Sequence, residues 1–226
     1  MDEQDSISGV WLEALAIIRR YPYAVIVPGA VLGALAEAPA YLIVDRLLLD
    51  QLLTYLSAAF AYYLFLAYAE GLTTDYERGM EHIASRSMLG ELLEAAAFVP
   101  RVLMAALIAV TASSAALGLL VVPGVWLYTR WSLATPVIRR EGLGVLGAIS
   151  RSNHLVRGNF WLVFLTATVA YYLEGGVTHA GAEAALLVTG SSTWGEWVGG
   201  SMVATLAIPL GAFATSLAYS SLTRHP

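Results

Sequence analysis

Long apolar stretches constrain the fold of this chain more than any other feature of its sequence. Crossing the hydrocarbon layer of a bilayer, which is about 30 Å thick, takes about 20 predominantly apolar residues per helix. Hydrophobic residues make up 58% of the 226 residues and charged residues only 13%, more apolar surface than one soluble core of this length could bury. Six stretches have this character, of which the fourth is short: 22–43, 47–69, 101–122, 124–138, 159–176 and 198–220. The sequence therefore predicts an all-α polytopic membrane protein with six transmembrane helices.

The positions of the arginines predict how these helices are oriented. All twelve positively charged residues are arginine, and ten of them lie in segments that would share one side of the membrane. The exceptions are Arg46, in the loop after the first stretch, and Arg130, inside the fourth. Positive residues favour the cytoplasmic side, so we expect both termini in the cytoplasm. The amino terminus, MDEQDS, is acidic and does not have the positive charge of a secretory signal.

Three segments are predicted to be amphipathic helices that lie in the membrane interface, and they span 6–21, 79–98 and 143–157. Apolar residues of the first recur at spacings of four and three: Trp11, Leu15 and Ile18. In the third, apolar residues share one face: Leu146, Ile149 and Val156. Each segment precedes an apolar stretch, so we expect each helix to turn into the membrane where it ends.

These predictions give a single membrane domain made of three units. Each unit is an interfacial helix followed by a transmembrane hairpin, and the hairpins cover 22–69, 101–138 and 159–220. The first two units align without gaps, which places Trp11 on Leu89 and Pro22 on Pro100. The third fits loosely, with about one extra turn. A three-fold repeat of helical hairpins is the predicted architecture.

No grouping of residues predicts catalysis. The four histidines, at positions 82, 154, 179 and 225, are isolated from one another and from a second metal ligand. The sequence contains no cysteine, no nucleophile elbow, no phosphate-binding loop and no dinucleotide fingerprint. We therefore expect a protein that is not an enzyme and uses no cofactor or metal. The expected partners are membrane lipids, with another protein as a second candidate, and nucleic acid is not expected.

Arg130 is a charge inside an apolar stretch. It lies seven positions after Pro123 and nine before Arg139, which at 1.5 Å per residue is about 10 Å and 13 Å from those residues. A charge at that depth costs at least about 2.5 kcal/mol, so it should face protein or water. Freed backbone carbonyls, a lipid phosphate or nearby tyrosine hydroxyls could bind it; the candidate tyrosines are Tyr62, Tyr63 and Tyr68.

Arg130 is also the first of five arginines within 28 residues: Arg130, Arg139, Arg140, Arg151 and Arg157. One hypothesis is that they form a positive pocket at the cytoplasmic side for an anionic lipid headgroup, since basic pockets between helices bind such lipids. The other is that Arg139, Arg140 and Arg151 only set orientation, and that only Arg130 is held structurally.

The run VVPGVWLYTRWSLATPVIRREGLGVLGAISRSNHLVRGNFWLVF resembles the signature of a bacterial and archaeal family of six-helix integral membrane proteins. That family includes the membrane domain fused to some glycerophosphodiester phosphodiesterases. The similarity rests on a proline-glycine turn, an arginine-bearing span, an acid-glycine pair, an Arg-Ser helix and a Gly-Asn-Phe-Trp segment: Pro123 and Gly124, Arg130, Glu141 and Gly142, Arg151 and Ser152, and Gly158 to Trp161. The resemblance implies a bacterial or archaeal cytoplasmic membrane and a lipid-related or envelope role. The catalytic barrel of the fused enzymes has no counterpart in this sequence.

Two functions fit these residues. The first is a non-catalytic membrane module that binds lipid or scaffolds a protein partner. The second is a small transporter or channel with Arg130 lining its path. A transporter usually gathers several polar residues at mid-depth, whereas here one charge stands among tyrosines and small hydroxyls, which favours the first.

Overall fold

The computed structural model describes residues 6–42, 47–79, 87–173, 176, 178–190 and 193–224, and within these ranges all regular secondary structure is helical. The predicted all-α class is thereby confirmed. The helices are α1 (Ile7–Arg20), α2 (Pro22–Leu42), α3 (Leu47–Glu77), α4 (Met88–Ala96), α5 (Val99–Leu119), α6 (Val121–Trp131), α7 (Ala134–Glu141), α8 (Val145–Val156), α9 (Phe160–Tyr172), α10 (Thr178–Thr189) and α11 (Thr193–Arg224).

Two of the described helices are long and apolar enough to cross a membrane. They are Val99–Gly118 of α5 and Val198–Arg224 of α11, which match the predicted third and sixth stretches. α1 and the first part of α2 pass the same test together but are bent by 94° at their junction, which makes three if the pair is one span. α9 is apolar but has only 13 residues. The described residues thus contain two or three helices with the character of membrane spans, where the sequence predicted six.

The predicted fourth span, 124–138, is two helices rather than one. α6 ends at Trp131 and α7 begins at Ala134. The backbone N–H of Ser132 donates to the Thr129 carbonyl, and the Ser132 hydroxyl donates to the same oxygen over 2.9 Å, which closes the last turn of α6. Arg130 therefore lies in the last turn of a short helix and not in the middle of a straight transmembrane helix.

The helix α11 is the element against which most others pack, since α1, α2, α3, α7, α9 and α10 all contact it. One apolar core lies between α1, α2, α3 and α11, with Ile17, Phe65 and Phe213 among its fully buried residues. A second core joins α5, α7 and α8 around residues such as Val102 and Val137. The two cores meet beside α3 and α11, where the polar groups described below are buried.

The segment 6–21, which was predicted to be an interfacial helix, forms the helix α1, and α1 buries a different face from the predicted one. Its fully buried residues are Val10, Ala14 and Ile17, next to the predicted stripe of Trp11, Leu15 and Ile18. Leu15 is 40% exposed and Leu12 is 67% exposed. Because α1 carries apolar residues around more than half of its circumference, the sequence pattern alone could not identify the side that packs on the protein.

Of the other two segments that were predicted to be interfacial helices, the first is described only in part and the second buries a face shifted from the predicted one. For 79–98, the structure describes a helix over Met88–Ala96, and 80–86 lie outside the described residues. For 143–157, α8 buries Ile149 and Val156 as expected, together with Ala148 and Ser152. Leu146, which was predicted to share that face, is 75% exposed.

Glycines allow α11 to approach its neighbours closely. A Cβ on Gly199 of α11 would lie 2.6 Å from the Gly181 carbonyl oxygen of α10. A Cβ on Gly29 of α2 would lie 3.0 Å from the Thr205 carbonyl oxygen of α11. Small residues at such contacts permit backbone packing between helices in a membrane, where water does not drive association.

Substitution of Gly199 by alanine should separate α10 from α11. We expect Gly199→Ala to lower the free energy of unfolding by about 1–3 kcal/mol, because the added methyl group meets a backbone oxygen that cannot rotate away. Gly118→Ala is the matched control, since a Cβ there has no neighbouring atom within 4 Å. Thermal unfolding of both variants in detergent micelles measures the difference, and equal stability of the two would contradict the close contact.

Candidate functional site

A network of buried polar side chains centres on Arg140, in the last turn of α7. Its Nε donates to Glu70 Oε2 over 2.8 Å. One terminal nitrogen donates to Glu77 Oε2 over 2.9 Å and to Ser220 Oγ over 2.8 Å. The other donates to Ser216 Oγ over 2.7 Å. One guanidinium thus joins α7 to two carboxylates on α3 and two hydroxyls on α11.

Glu70 is the most deeply buried charged group of this network. Its side chain is 2% exposed, and it follows the apolar stretch 47–69, about two turns before the end of α3. Ser216, which is fully buried, donates its hydroxyl proton to Glu70 Oε2 over 2.8 Å. A carboxylate removed from water costs several kcal/mol unless it is paired and hydrogen-bonded, so Glu70 depends on Arg140 and Ser216 for its charge.

The network continues toward the ends of α1 and α11. Arg224 donates to Glu77 Oε1 over 3.0 Å, so Glu77 lies between two guanidinium groups. Glu13 of α1 is close enough to respond to the same charges. Partial burial raises the pKa of its carboxyl above the ordinary value, while the charge of Arg224 opposes that rise and the charge of Glu77 adds to it.

A second pair of charges links α7 to α8. Arg151 Nε donates to Glu141 Oε1 over 3.1 Å, and the Tyr219 hydroxyl donates to the same oxygen over 2.8 Å. The Tyr219 ring also lies 5.3 Å from the Arg140 guanidinium carbon, within the range of a cation–π contact. Tyr219 therefore connects the Glu141–Arg151 pair to the Arg140 network.

A polar cleft of about 620 Å³ lies on one side of Arg140. Arg139 lines it, forms a salt bridge of 2.8 Å with Glu94 and stacks over the Phe98 ring at 4.4 Å. Its charged lining residues are Asp75, Glu77, Arg78, Glu91, Glu94, Arg139 and Arg140. Four carboxylates against three arginines make this cleft mixed in charge, so it is not the positive pocket predicted from the arginines alone.

An apolar cavity of about 320 Å³ lies on the other side of the network, and Glu70 is part of its wall. Most of its lining comes from aromatic, alanine and leucine side chains of α3, α5, α6, α7 and α9, among them Tyr62, Tyr63, Ala109 and Trp131. Val110 and Tyr171 also line it and are 52% and 62% exposed, so the cavity opens onto apolar surface. Its size is within the range of small-molecule sites, about 300–1,000 Å³.

The structure gives Arg130 partners other than the predicted tyrosines. It donates to Asn153 Oδ1 of α8 over 2.8 Å, and its guanidinium lies 4.0 Å from the centre of the Trp126 ring. Its Nε is buried without a hydrogen bond in the part of the chain that the structure describes. Of the predicted partners, Tyr68 donates to the Ala24 carbonyl over 2.7 Å, whereas Tyr62 and Tyr63 line the apolar cavity.

The five arginines therefore divide among separate places. Arg139 and Arg140 meet at the polar cleft, and Arg130 binds α8. Arg151 is 39% exposed and pairs with Glu141. Arg157, which caps the end of α8, is exposed. Four of the five are held by named side chains of the protein, and three of those four are neutralised by carboxylates.

Sequence reasoning did not identify Glu70, Glu77, Ser216, Ser220 and Tyr219 as site residues. A signal for Glu70 was present, since it is a carboxylate directly after an apolar stretch. Ser216 and Ser220 are four residues apart and so lie on one face of α11, but that spacing is equally typical of helix packing. Only the fold brings them to Arg140.

Within the described residues, no group of three or more histidine, cysteine or carboxylate side chains could hold a metal ion. Comparison of the chain with protein-family models, with curated proteins and with solved structures found no match. The molecule is defined by its architecture: an all-helical chain with membrane-spanning character and a buried charge network between two cavities.

Loss of Arg140 should destabilise the protein strongly. We expect Arg140→Gln to lower the free energy of unfolding by about 3–5 kcal/mol, because it leaves the Glu70 carboxylate buried without its counter-charge. Arg151→Gln breaks an exposed pair and should cost at most about 1 kcal/mol. Thermal unfolding in detergent compares the two variants.

A second substitution tests whether the unpaired Glu70 carboxylate causes the loss of stability. Glu70→Gln added to Arg140→Gln should recover part of the lost stability, since it removes the unpaired charge. If Arg140→Gln proved no more destabilising than Arg151→Gln, the central role of the buried pair would be disproved.

Proposed function

We propose that the protein is a non-catalytic integral membrane module that binds a membrane lipid, with an apolar chain of that lipid in the 320 Å³ cavity. The observation that carries this proposal is the opening of the cavity at Val110 and Tyr171 onto apolar surface. Most of the cavity wall is aliphatic and aromatic surface, which offers water few hydrogen-bond partners. In a bilayer, the material that surrounds such an opening is acyl chain.

The polar cleft does not favour selection of an anionic headgroup. Its arginines are accompanied by a larger number of carboxylates. An anionic phosphate would therefore meet repulsion as well as attraction. Lipid binding is therefore assigned to the apolar cavity, through the chain, and not to recognition of a headgroup at the cleft.

The proposed topology has six crossings, both termini in the cytoplasm and three interfacial helices. The 94° bend between α1 and α2 at Pro22 supports it, because two helices at about a right angle would allow one to lie along the surface and the other to cross. Exposed Leu12 and Leu15 would then face lipid. The repeat has support from Ile17 and Ala95, which occupy equivalent positions in the aligned units and are both fully buried.

The motifs of residues 121–164 lead us to infer a relation to the six-helix family named above, and with it a bacterial or archaeal cytoplasmic membrane. A scaffold for a protein partner is compatible with the same architecture. The transporter alternative depended on Arg130 lining a path. Arg130 instead binds Asn153 and Trp126, and it is not among the residues that line either described cavity.

Filling the cavity tests lipid binding. We expect Ala109→Phe to lose most of the lipid retained after purification, because the new ring occupies the space of the chain. Ala115→Phe is the matched control, since it adds the same ring to an exposed position of α5 outside the cavity. Native mass spectrometry counts the retained lipids. Equal retention by both variants would refute the proposed site.

Single cysteines test the topology, since the sequence has none of its own. Glu183 in α10 and Arg157 after α8 are both exposed. We expect a cysteine at position 183 to react with a membrane-impermeant maleimide from outside intact cells. A cysteine at position 157 should react only after the cells are opened. Reaction of both from the same side would exclude the six-crossing arrangement.

A further inference from the structure

Glu70 is a member of the charge network and also lines the apolar cavity. It forms part of the cavity wall, although only 2% of its side chain is exposed. The hydrogen bonds from Arg140 Nε and Ser216 Oγ both end on Oε2. Among the described residues no hydrogen bond to Oε1 is observed, so Oε1 is the oxygen available to a group inside the cavity. An ionised carboxylate accepts hydrogen bonds at both oxygens.

The charges around Glu70 limit what that group can be. Glu70 and Glu77 are matched by Arg140 and Arg224, and Glu141 is matched by Arg151. A cation in the cavity would leave an excess positive charge in a region that excludes water, and an anion would be repelled by Glu70. Arg140 directs its hydrogen bonds to protein groups, so it has little to offer an anion. An uncharged group that donates a hydrogen bond to Glu70 fits this balance of charges.

The rest of the cavity wall is suited to a hydrocarbon chain. Alanines of α5 and α9 line it together with Leu66, Val110 and Trp131. The polar side chains of the wall other than the aromatic residues are Glu70, Ser132, Thr135 and Thr215, and Thr135 and Thr215 lie on helices that also supply the charge network. A ligand that fills the cavity would therefore be apolar along its length and polar at the end that reaches Glu70.

We propose that the cavity binds a neutral lipid that bears a free hydroxyl group, and that this hydroxyl donates a hydrogen bond to Glu70 Oε1. This inference rests on the proposed lipid-binding function and specifies the class of lipid. Hydrogen bonds to charged groups are stronger than those between neutral groups. Removal of the donor from the ligand should therefore weaken binding about tenfold.

Two probes that differ only in the donor test this inference on the unaltered protein. One is hexadecanol with a diazirine in mid-chain, and the other is its methyl ether, which keeps the chain but cannot donate. The full chain is reconstituted in phosphatidylcholine nanodiscs, each probe is titrated as a mole fraction of the lipid, and cross-linking is mapped by peptide mass spectrometry. We expect saturable cross-linking in cavity-lining peptides, with the alcohol half-saturating at about one tenth of the mole fraction required for the ether.

Variants locate the acceptor. Glu70→Gln should reduce the preference for the alcohol, since the amide oxygen is a weaker acceptor than a carboxylate. Glu94→Gln is the control: it removes a carboxylate that pairs with Arg139 at the polar cleft and does not line the apolar cavity. It should keep the full preference. If Glu70→Gln does not fold, the comparison of the two probes on the unaltered protein still decides whether the cavity prefers a ligand with a hydroxyl group.

The outcomes separate the two proposals. Equal half-saturation by alcohol and ether would overturn the hydroxyl inference and leave lipid binding in place. The absence of saturable cross-linking by either probe in cavity-lining peptides would overturn both. A preference for the alcohol that persisted in Glu70→Gln, or that was lost equally in Glu94→Gln, would also overturn the assignment to Glu70.

Discussion

The arrangement of the helices depends on the buried pair of Arg140 and Glu70. Neither charge could be removed from water alone, because the cost is several kcal/mol per ion. Together they bring α7 against α3, and Ser216 and Ser220 bring α11 to the same place by accepting two further guanidinium hydrogens. This requirement gives a physical reason for the break between α6 and α7. With α6 and α7 as separate helices, α7 can take the direction that places Arg140 beside α3 and α11.

Small residues along α11 allow that pair to be enclosed. Gly199 packs on α10 near one end of the helix, and the Thr205 backbone meets Gly29 of α2 further along. Near the other end, buried Ser216 and Ala218 leave room for Arg140 and Glu70 beside the helix. Without water to drive association, such close approach supplies the van der Waals contact and interhelical hydrogen bonds that hold helices together in a membrane. The same feature thus serves both packing and the charge network.

The features that the sequence predicted well are local ones. Hydropathy within a single stretch is enough to identify α5 and α11 as helices able to span a membrane, and helical periodicity is enough to predict α1 and α8. The site depends on contacts that are distant in sequence. Ser216 and Glu70 are 146 residues apart. Glu70 directly follows an apolar stretch, but nothing near Ser216 distinguishes it from other serines. Asn153 was missed as the partner of Arg130 for the same reason.

The charge of the site could not be predicted by counting arginines, because the fold supplies a carboxylate for most of them. Arg139 and Arg140 are adjacent in sequence, but consecutive residues of a helix point about 100° apart, so they reach Glu94 and Glu70 on different helices. Because the charges of the site nearly balance, the geometry of its hydrogen bonds decides which ligand can bind. Since Arg140 lines the polar cleft and Glu70 lines the apolar cavity, the two cavities share one ion pair. A group that binds Glu70 from the cavity therefore contacts an ion pair whose other member, Arg140, lines the cleft.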